Sequence, residues 1–183
     1  MPPPPTLETA RLKLRQYSDA DIAELLPLIG AREVAATTLR IPHPYTERDA
    51  RDFFALLQGG HKIWLAITLR RDGRQIGGIG LTVDEHQQHS ELGYWLGLPY
   101  WGQGYATEAA QEMLRYGFEE LHLHRIFASH FKHNPASGRI LLKLGMRHEG
   151  CQREHIRKWN QFVDSELYGI LRREWEISRK AGE

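Results

Sequence analysis

Residues 91–121 read ELGYWLGLPYWGQGYATEAAQEMLRYGFEEL: a short apolar strand, a glycine-punctuated turn, and an amphipathic helix that starts directly from the turn. Gly102 and Gly104 carry no Cβ, so their backbone can approach a ligand closely. The first N–H groups of the following helix have no intrahelical acceptor, and the helix dipole adds positive potential at the same place. Together these features predict a cradle for a phosphate or pyrophosphate group. Beyond the turn, Ala109, Ala110, Met113, Leu114, Gly117, Phe118 and Leu121 recur at helical spacing and predict one buried face.

Upstream, Ile63, Leu65, Ile67 and Leu69 alternate with Trp64, Ala66 and Thr68, Asp72-Gly73 supplies a tight turn, and residues 75–83 return. That predicts a β-hairpin, in which Gly77, Gly78 and Gly80 mark bulges or close backbone contacts. Thr46 caps a helix with Ala50, Phe53, Phe54 and Leu57 turned inward and Gly59-Gly60 as its stop. Thr37, Thr38, Pro42 and Pro44 argue against regular structure, so residues 30–45 read as a surface loop. Ser18 and Asp19 cap an earlier helix with Ile22, Leu25, Leu26 and Ile29 on one face, kinked or ended by Pro27. Before it, Leu12 and Leu14 alternate with Arg11, Lys13 and Arg15 as a half-buried strand.

Downstream, a polar turn at residues 84–89 precedes the central strand, and residues 125–131 read as another strand. Asn134 caps a short helix with Pro135 at its first position, Ile140, Leu141 and Leu144 facing inward, and Gly145 at its end. Two more strands follow, near residues 147–157 and 162–171, joined through Trp159-Asn160. This order predicts an α+β fold, a mixed and mainly antiparallel central sheet flanked by helices.

Lys and Arg number 24 against 23 Asp and Glu, a net charge of +1, which gives no global argument for nucleic acid. Pro2 to Pro5 favour an extended, solvated conformation, so residues 1–6 read as a loose tail and residues 7–183 as a single domain. The one cysteine, Cys151, cannot form an internal disulfide, and the opening MPPPPTLE lacks the regions of a secretory signal, which points to a cytoplasmic protein. The apolar run at residues 63–67 falls far short of the roughly 20 residues a bilayer span needs, so no membrane association is expected.

The same residues argue against two common phosphate sites. A dinucleotide fingerprint places a third glycine where Thr107 stands and needs repeated strand-helix-strand crossovers, and a nucleotide-triphosphate loop needs Gly-Lys-Ser/Thr after the glycines. The stretch instead resembles the acetyl-CoA signature of the GCN5-related N-acetyltransferases (GNAT), Arg/Gln-x-x-Gly-x-Gly/Ala, here Trp101-Gly102-Gln103-Gly104-Tyr105-Ala106. Trp101 stands where that family usually has Arg or Gln, a departure shared by its RimJ/RimL-type branch, whose Tyr-Trp-Gly-x-Gly-Tyr-Ala-Thr-Glu-Ala is matched over residues 100–109. The resemblance extends to ETARLKLR at residues 8–15, NPAS at 134–137, KLGM at 143–146, Glu149-Gly150, and a closing strand through Tyr168 and Trp175.

The resemblance implies a GNAT fold and direct acetyl transfer from acetyl-CoA to a primary amine, with a protein N-terminal α-amine as the first acceptor and a small-molecule amine as the alternative. A non-catalytic acyl-CoA-binding module is a third reading. It implies that Gly102, Gln103, Gly104, Tyr105, Ala106 and Thr107 hold the pyrophosphate, that Leu96, Gly97 and Leu98 pair with the pantetheine arm, and that Asn134, Ser137 and Arg139 complete the site. Lys143, like Arg139, either reaches the phosphates or is a solvated helix-face charge.

Acyl transfer needs a neutral amine and a way to protonate the leaving thiolate. Glu91 is the general-base candidate, working through water, with a solvated strand-end carboxylate as the equal alternative; the resemblance implies that Ser137 donates to the sulfur, the alternative being a helix-start hydrogen bond. Tyr94, Tyr100, Tyr105 and Tyr168 are proton donors or packing aromatics, with none preferred. His43 and Tyr45 are placed in the acceptor pocket by their loop position alone. His122, His124, His130 and His133 lack a carboxylate or cysteine to complete a metal site, and strand alternation explains their spacing. Cys151 has no evident base partner and is not assigned as a nucleophile. Monomer and homodimer are both compatible with the sequence.

Overall fold

A computed structural model describes residues 5–57 and 62–180 of the 183-residue chain. The proline tail to Pro4 and the predicted Gly59-Gly60 helix stop lie outside the described residues. In chain order the elements are β1 (Leu7–Glu8), β2 (Leu12–Arg15), α1 (Ile22–Ile29), α2 (Arg32–Ala36), α3 (Glu47–Leu57), β3 (Lys62–Leu69), β4 (Gln75–Asp84), β5 (His89–Leu96), α4 (Tyr105–Glu119), β6 (Arg125–Phe131), α5 (Pro135–Lys143), β7 (Arg147–Lys158), β8 (Gln161–Leu171) and α6 (Arg172–Lys180). Among the described residues the strands form one sheet in the order β1-β2-β3-β4-β5-β6-β8-β7. Neighbours are antiparallel except β5 and β6, whose parallel pairing requires the crossover that α4 supplies.

Both faces of the sheet are covered, so β3 and β4 are buried on both sides rather than alternating. One face packs under α4 and α5, with Ala109, Ala110, Met113, Phe118 and Leu141 fully buried against Leu65, Ile67, Leu81 and Ile126. The other lies under α1 to α3, where Ile22, Leu25, Val34 and Ala50 meet Trp95 and Trp64.

The glycines of β4 answer to that second layer. A Cβ on Gly80 would fall 2.4 Å from the Trp64 ring, and one on Gly78 would meet the Tyr17 hydroxyl at 2.0 Å. The register with β3 slips beside Gly77, since Ile67 faces Gly77 while Thr68 faces Gln75, leaving Ile76 as the extra residue of a bulge.

Four local readings change. The segment expected to be loop from residue 30 contains α2, because Thr37 and Thr38 lie after Arg32, Glu33 and Ala35 and bond back to their turn: both hydroxyls donate to Val34 O, at 3.0 and 3.1 Å. Pro27 does not stop α1, which runs on to Ile29; Ala23, whose carbonyl loses its partner to the proline, lies with Pro27 on the exposed face, open to water. Trp175 belongs to α6 rather than to a closing strand. Glu174 accepts from Leu171 N at 3.0 Å to cap that helix, and the Trp175 ring packs on Phe118 at 5.2 Å. His122 and His124 precede β6, so strand alternation does not account for their spacing.

Candidate active site

β5 and β6 pair at only three positions, His89 with Arg125, Ser90 with Ile126 and Glu91 with Phe127. Past Glu91 the outer edges stay occupied: β5 remains paired to β4 through Leu96, and β6 to β8 through Phe131. The inner edges therefore part into a wedge. A cavity of about 790 Å³ runs through it, from Gly102 and Gly104 at one end, past Tyr94 and Ser137, to Arg40 and Trp64 at the other.

At the first end, Gly102 and Gly104 both have left-handed backbones, φ 73° and 82°, which an L side chain resists. A Cβ on Gly102 would meet no protein atom within 4 Å, so the space above it is open to a ligand. Gly104 is the N-cap of α4, and the N–H groups of Tyr105, Ala106 and Thr107 occupy the helix start, where no intrahelical acceptor exists. Arg11 ties the β1–β2 turn to this corner. Its Nε donates to Glu108 at 2.6 Å, its Nη1 to Gln103 O at 3.1 Å, and its guanidinium stacks on Tyr105 at 4.5 Å. Burial opposes ionisation of Glu108, but donors from Thr9 and from the Arg11 backbone and side chain outweigh it and hold its pKa below the ordinary value.

Leu96, Trp101, Tyr105, Ala106, Thr107, Asn134, Ser137, Arg139 and Lys143 all line the cavity. Gly97, Leu98 and Gln103 stand behind it. Gly97 N donates to Ile76 O at 2.9 Å, Leu98 O accepts from Trp101 N at 3.2 Å, and the Gln103 side chain donates to Pro99 O at 2.7 Å. Leu96 O is also engaged, accepting from the Trp101 indole at 2.7 Å. Trp101 thus braces the turn, and the open strand edge lies earlier, along residues 92–96.

Across the wedge, the Tyr94 and Ser137 hydroxyl oxygens lie 2.7 Å apart, and either can be the donor. Asn134 Oδ1 accepts from Ser137 N at 3.4 Å and caps α5. Burial pushes the Tyr94 phenol up to about 12, with the Ser137 contact working the other way, so it stays protonated at neutral pH. Sequence reasoning had four equivalent tyrosines here. The distinguishing signal is strand alternation, which sets Tyr94 toward α5 and Glu91, Gly93 and Trp95 toward the opposite face.

On that opposite face Glu91 sits where β5 and β6 part, beside Thr82 across β4, with Oε2 3.1 Å from Arg40 Nη2. Tyr45, Phe53 and Trp64 continue the wall, Phe53 edge-on to Trp64 at 6.0 Å. His43 contacts the Trp159 ring at 6.1 Å, outside the residues that line the cavity. His130 is buried in β6 with Nδ1 2.8 Å from Phe131 O, and His133 Nε2 lies 3.2 Å from Ala36 O. No group of three or more His, Cys, Asp and Glu able to hold a metal ion occurs among the described residues. No helix among them is long and apolar enough to cross a membrane.

Cys151 is exposed on β7, away from the wedge. Partial desolvation and the nearby Glu166 and Asp164 carboxylates push its thiol up, which disfavours the thiolate.

A family model described as an acetyltransferase (GNAT) domain matches residues 11–147. An uncharacterized N-acetyltransferase of Bacillus subtilis, YnaD, is 37% identical over 131 residues, 72% of this chain and 77% of the relative. One of Bacillus licheniformis is 31% identical over 176 residues, covering 93% and 98%. The ribosomal protein uS5-alanine N-acetyltransferase of Escherichia coli is 33% identical over 88 residues, 48% of this chain and 45% of that enzyme. Among solved structures, a GNAT-family acetyltransferase from Bacillus anthracis superposes with a TM-score of 0.83 at 29% identity, covering 92% and 99% of the two chains. A spermidine N-acetyltransferase from Vibrio cholerae in complex with CoA and spermine reaches 0.81 at 18% identity, with 92% and 99% covered, a likeness of fold alone.

Proposed function

The chain belongs to the GNAT acetyltransferase family, and from that premise we propose that it moves the acetyl group of acetyl-CoA directly onto a primary amine, with a protein N-terminal α-amine as the first acceptor to try. The observation that carries this reading is the wedge between β5 and β6, which joins an anion cradle to a cavity holding a carboxylate on one face and a hydroxyl pair on the other. The likeness to a ribosomal protein uS5-alanine N-acetyltransferase covers about half the chain and supports the choice of acceptor.

The residues present fit acetyl-CoA. Two left-handed glycines, with open space above Gly102 and the Arg11 guanidinium beside Gly104, followed by helix-start donors, suit a pyrophosphate, and Arg139 and Lys143 add positive charge along the same wall. Once bound, acetyl-CoA supplies an activated acyl carbon. The amine nitrogen forms the new N–C bond as the C–S bond breaks. Glu91 takes the proton the amine gives up, through a water, and the hydroxyl pair of Tyr94 and Ser137 donates the proton that the departing sulfur needs. Glu91 and the hydroxyls approach from opposite faces of β5, so the two proton transfers do not compete.

A calorimetric titration with acetyl-CoA, with NAD run in parallel, followed by mass analysis of peptides offered as acceptors, tests the reading. Acetyl-CoA binding with a 42 Da gain on a peptide amine (about one acetyl group) supports it. Binding without transfer to any amine favours the non-catalytic module, and NAD binding alone removes the donor assignment.

A further inference from the structure

The acceptor end of the cavity carries a cation already paired to the candidate base. Arg40 Nη2 lies 3.1 Å from Glu91 Oε2, a contact between residues 51 apart in sequence, with the Arg40 side chain 60% exposed and Glu91 32%. An exposed arginine on a loop ordinarily wanders, but this one is anchored on both sides. Lys158, at the tip of the β7–β8 hairpin, donates from Nζ to Ile41 O at 3.0 Å and to Leu39 O at 3.4 Å, the two carbonyls that flank Arg40.

Partial burial of the Lys158 ammonium lowers its pKa, and no carboxylate pairs with it among the described ion pairs. The hairpin tip is fixed in turn. Trp159 has a left-handed backbone, φ 46°, and its ring is contacted by Arg32 at 5.3 Å and by His43 at 6.1 Å.

The other charges on this wall do not cancel Arg40. Asp49 is turned to the Thr46 backbone N–H at 2.7 Å, and Asp52 to Arg48 at 3.7 Å. Lys62 lines the cavity and has no ion-pair partner among the described residues. Among the described residues Glu91 is the one acid that meets Arg40, and while the pair is closed an incoming amine must compete with a guanidinium for it.

We propose that Arg40 selects acceptors bearing a carboxylate close to their amine: the acceptor's carboxylate replaces Glu91 on the guanidinium, and Glu91 is released to receive the amine. This rests on the transferase reading above. A carboxylate fits because a planar guanidinium binds one with two parallel hydrogen bonds, whereas a neutral amide offers a single oxygen. The carboxylate could be the main-chain group of a free amino acid or the acidic side chain next to a peptide's N-terminus.

The test uses the full-length protein saturated with acetyl-CoA and two matched acceptor pairs, alanine against alaninamide, and a tetrapeptide beginning Ala-Asp against one beginning Ala-Asn. In at least one pair the acidic member should have kcat/KM roughly tenfold or more above the neutral one, with the ratio shrinking as salt is raised. The pair that shows it identifies the source of the carboxylate. Arg40→Gln should bring the ratio toward one and Arg40→Lys should leave it intermediate. Lys158→Met, which unties the loop without touching the guanidinium, should lower it too.

Retained acetyl-CoA binding shows that each variant is folded. Ratios near one in both pairs for the parent, or a ratio that survives Arg40→Gln, overturn the proposal while leaving the transferase reading intact. Absence of transfer to all four acceptors, with acetyl-CoA bound, overturns the proposal, and the transferase reading falls with it only if a wider panel of peptide and small-molecule amines also goes unacetylated.

Discussion

The donor end of the cavity is made by consecutive residues, 102–107, whereas the acceptor end brings Arg40, Trp64, Glu91 and Lys158 together from four separate elements or loops. In the first the backbone itself is the binding group, so its demands are conformational and local: glycine where φ is positive, and a helix start with unpaired donors. In the second the groups are side chains, delivered by contacts that span up to 119 residues. A backbone site leaves its requirements in the sequence as a motif. A side-chain site leaves them only in the fold, and it can change acceptor without disturbing the donor end.

If the two ends are separable in this way, Gly104→Val should strike one of them alone. A β-branched residue at φ 82° is strained and intrudes on the cradle, so acetyl-CoA affinity measured by calorimetry should fall roughly 10- to 100-fold. The acceptor KM should move far less. An equal rise in both constants would break the comparison.

The residues between the ends sharpen it further. Ser137→Ala and Glu91→Gln should each lower kcat by about 10- to 100-fold while acetyl-CoA binding stays within about twofold. Rapid-mixing assays at saturating donor would check this, and two variants as active as the parent would remove both assignments.

The frame around the site also has acid-sensitive struts, one at the start of α1 and one beside the cradle. Asp21 is buried beneath α1 and takes Arg15 through both Nη groups, at 2.6 and 2.9 Å, together with Ser18 N at 2.7 Å. Burial opposes its ionisation, but those donors win and hold its pKa below the ordinary 3.8. Since the folded value is the lower one, the stabilisation is complete above the ordinary value and is lost as pH falls below it toward the folded value. Denaturant titrations across acid pH should therefore show a loss of stability as pH falls that Asp21→Asn abolishes. Glu108, depressed in the same sense by Thr9 and Arg11, should add a smaller loss in the same direction, which Glu108→Gln removes together with some acetyl-CoA affinity. The smallest effect is expected at Cys151, which belongs to neither end: Cys151→Ala should leave turnover within about twofold, consistent with an exposed surface substitution.

Much of the frame was legible because its punctuation is local. Asp72-Gly73 marked the hairpin, Thr46 and Asn134 marked helix starts, and Gly145, with φ 79°, marked a helix end. The helices α2 and α6 were not, since five residues are too few to show a period and α6 follows β8 with no intervening turn. The bulge at Ile76 and the seats for the Trp64 ring explain the β4 glycines only once the neighbouring strand is in register. The wedge had no signature at all, because β5 and β6 part through what their outer neighbours hold rather than through any residue of their own. The choice of Tyr94 from four tyrosines, the tether from Lys158 to the loop carrying Arg40, and the bracing role of Trp101 likewise depend on which strands lie side by side.

That wedge also leaves one edge of β5 without a strand partner past Glu91 among the described residues. On the proposed reading, the arm of acetyl-CoA would lie along residues 92–96 and pair with that edge. Ligand that binds the folded form alone, at a hundredfold excess over its dissociation constant, adds about 2.7 kcal/mol to the free energy of unfolding. If acetyl-CoA is that ligand, the population exposed to proteolysis falls as the supply of the donor rises, so a nutrient-starved cell would clear this protein faster than a well-fed one. Pulse-chase turnover in cells with high and low acetyl-CoA pools, with Gly104→Val as the uncoupled reference, reads that linkage directly.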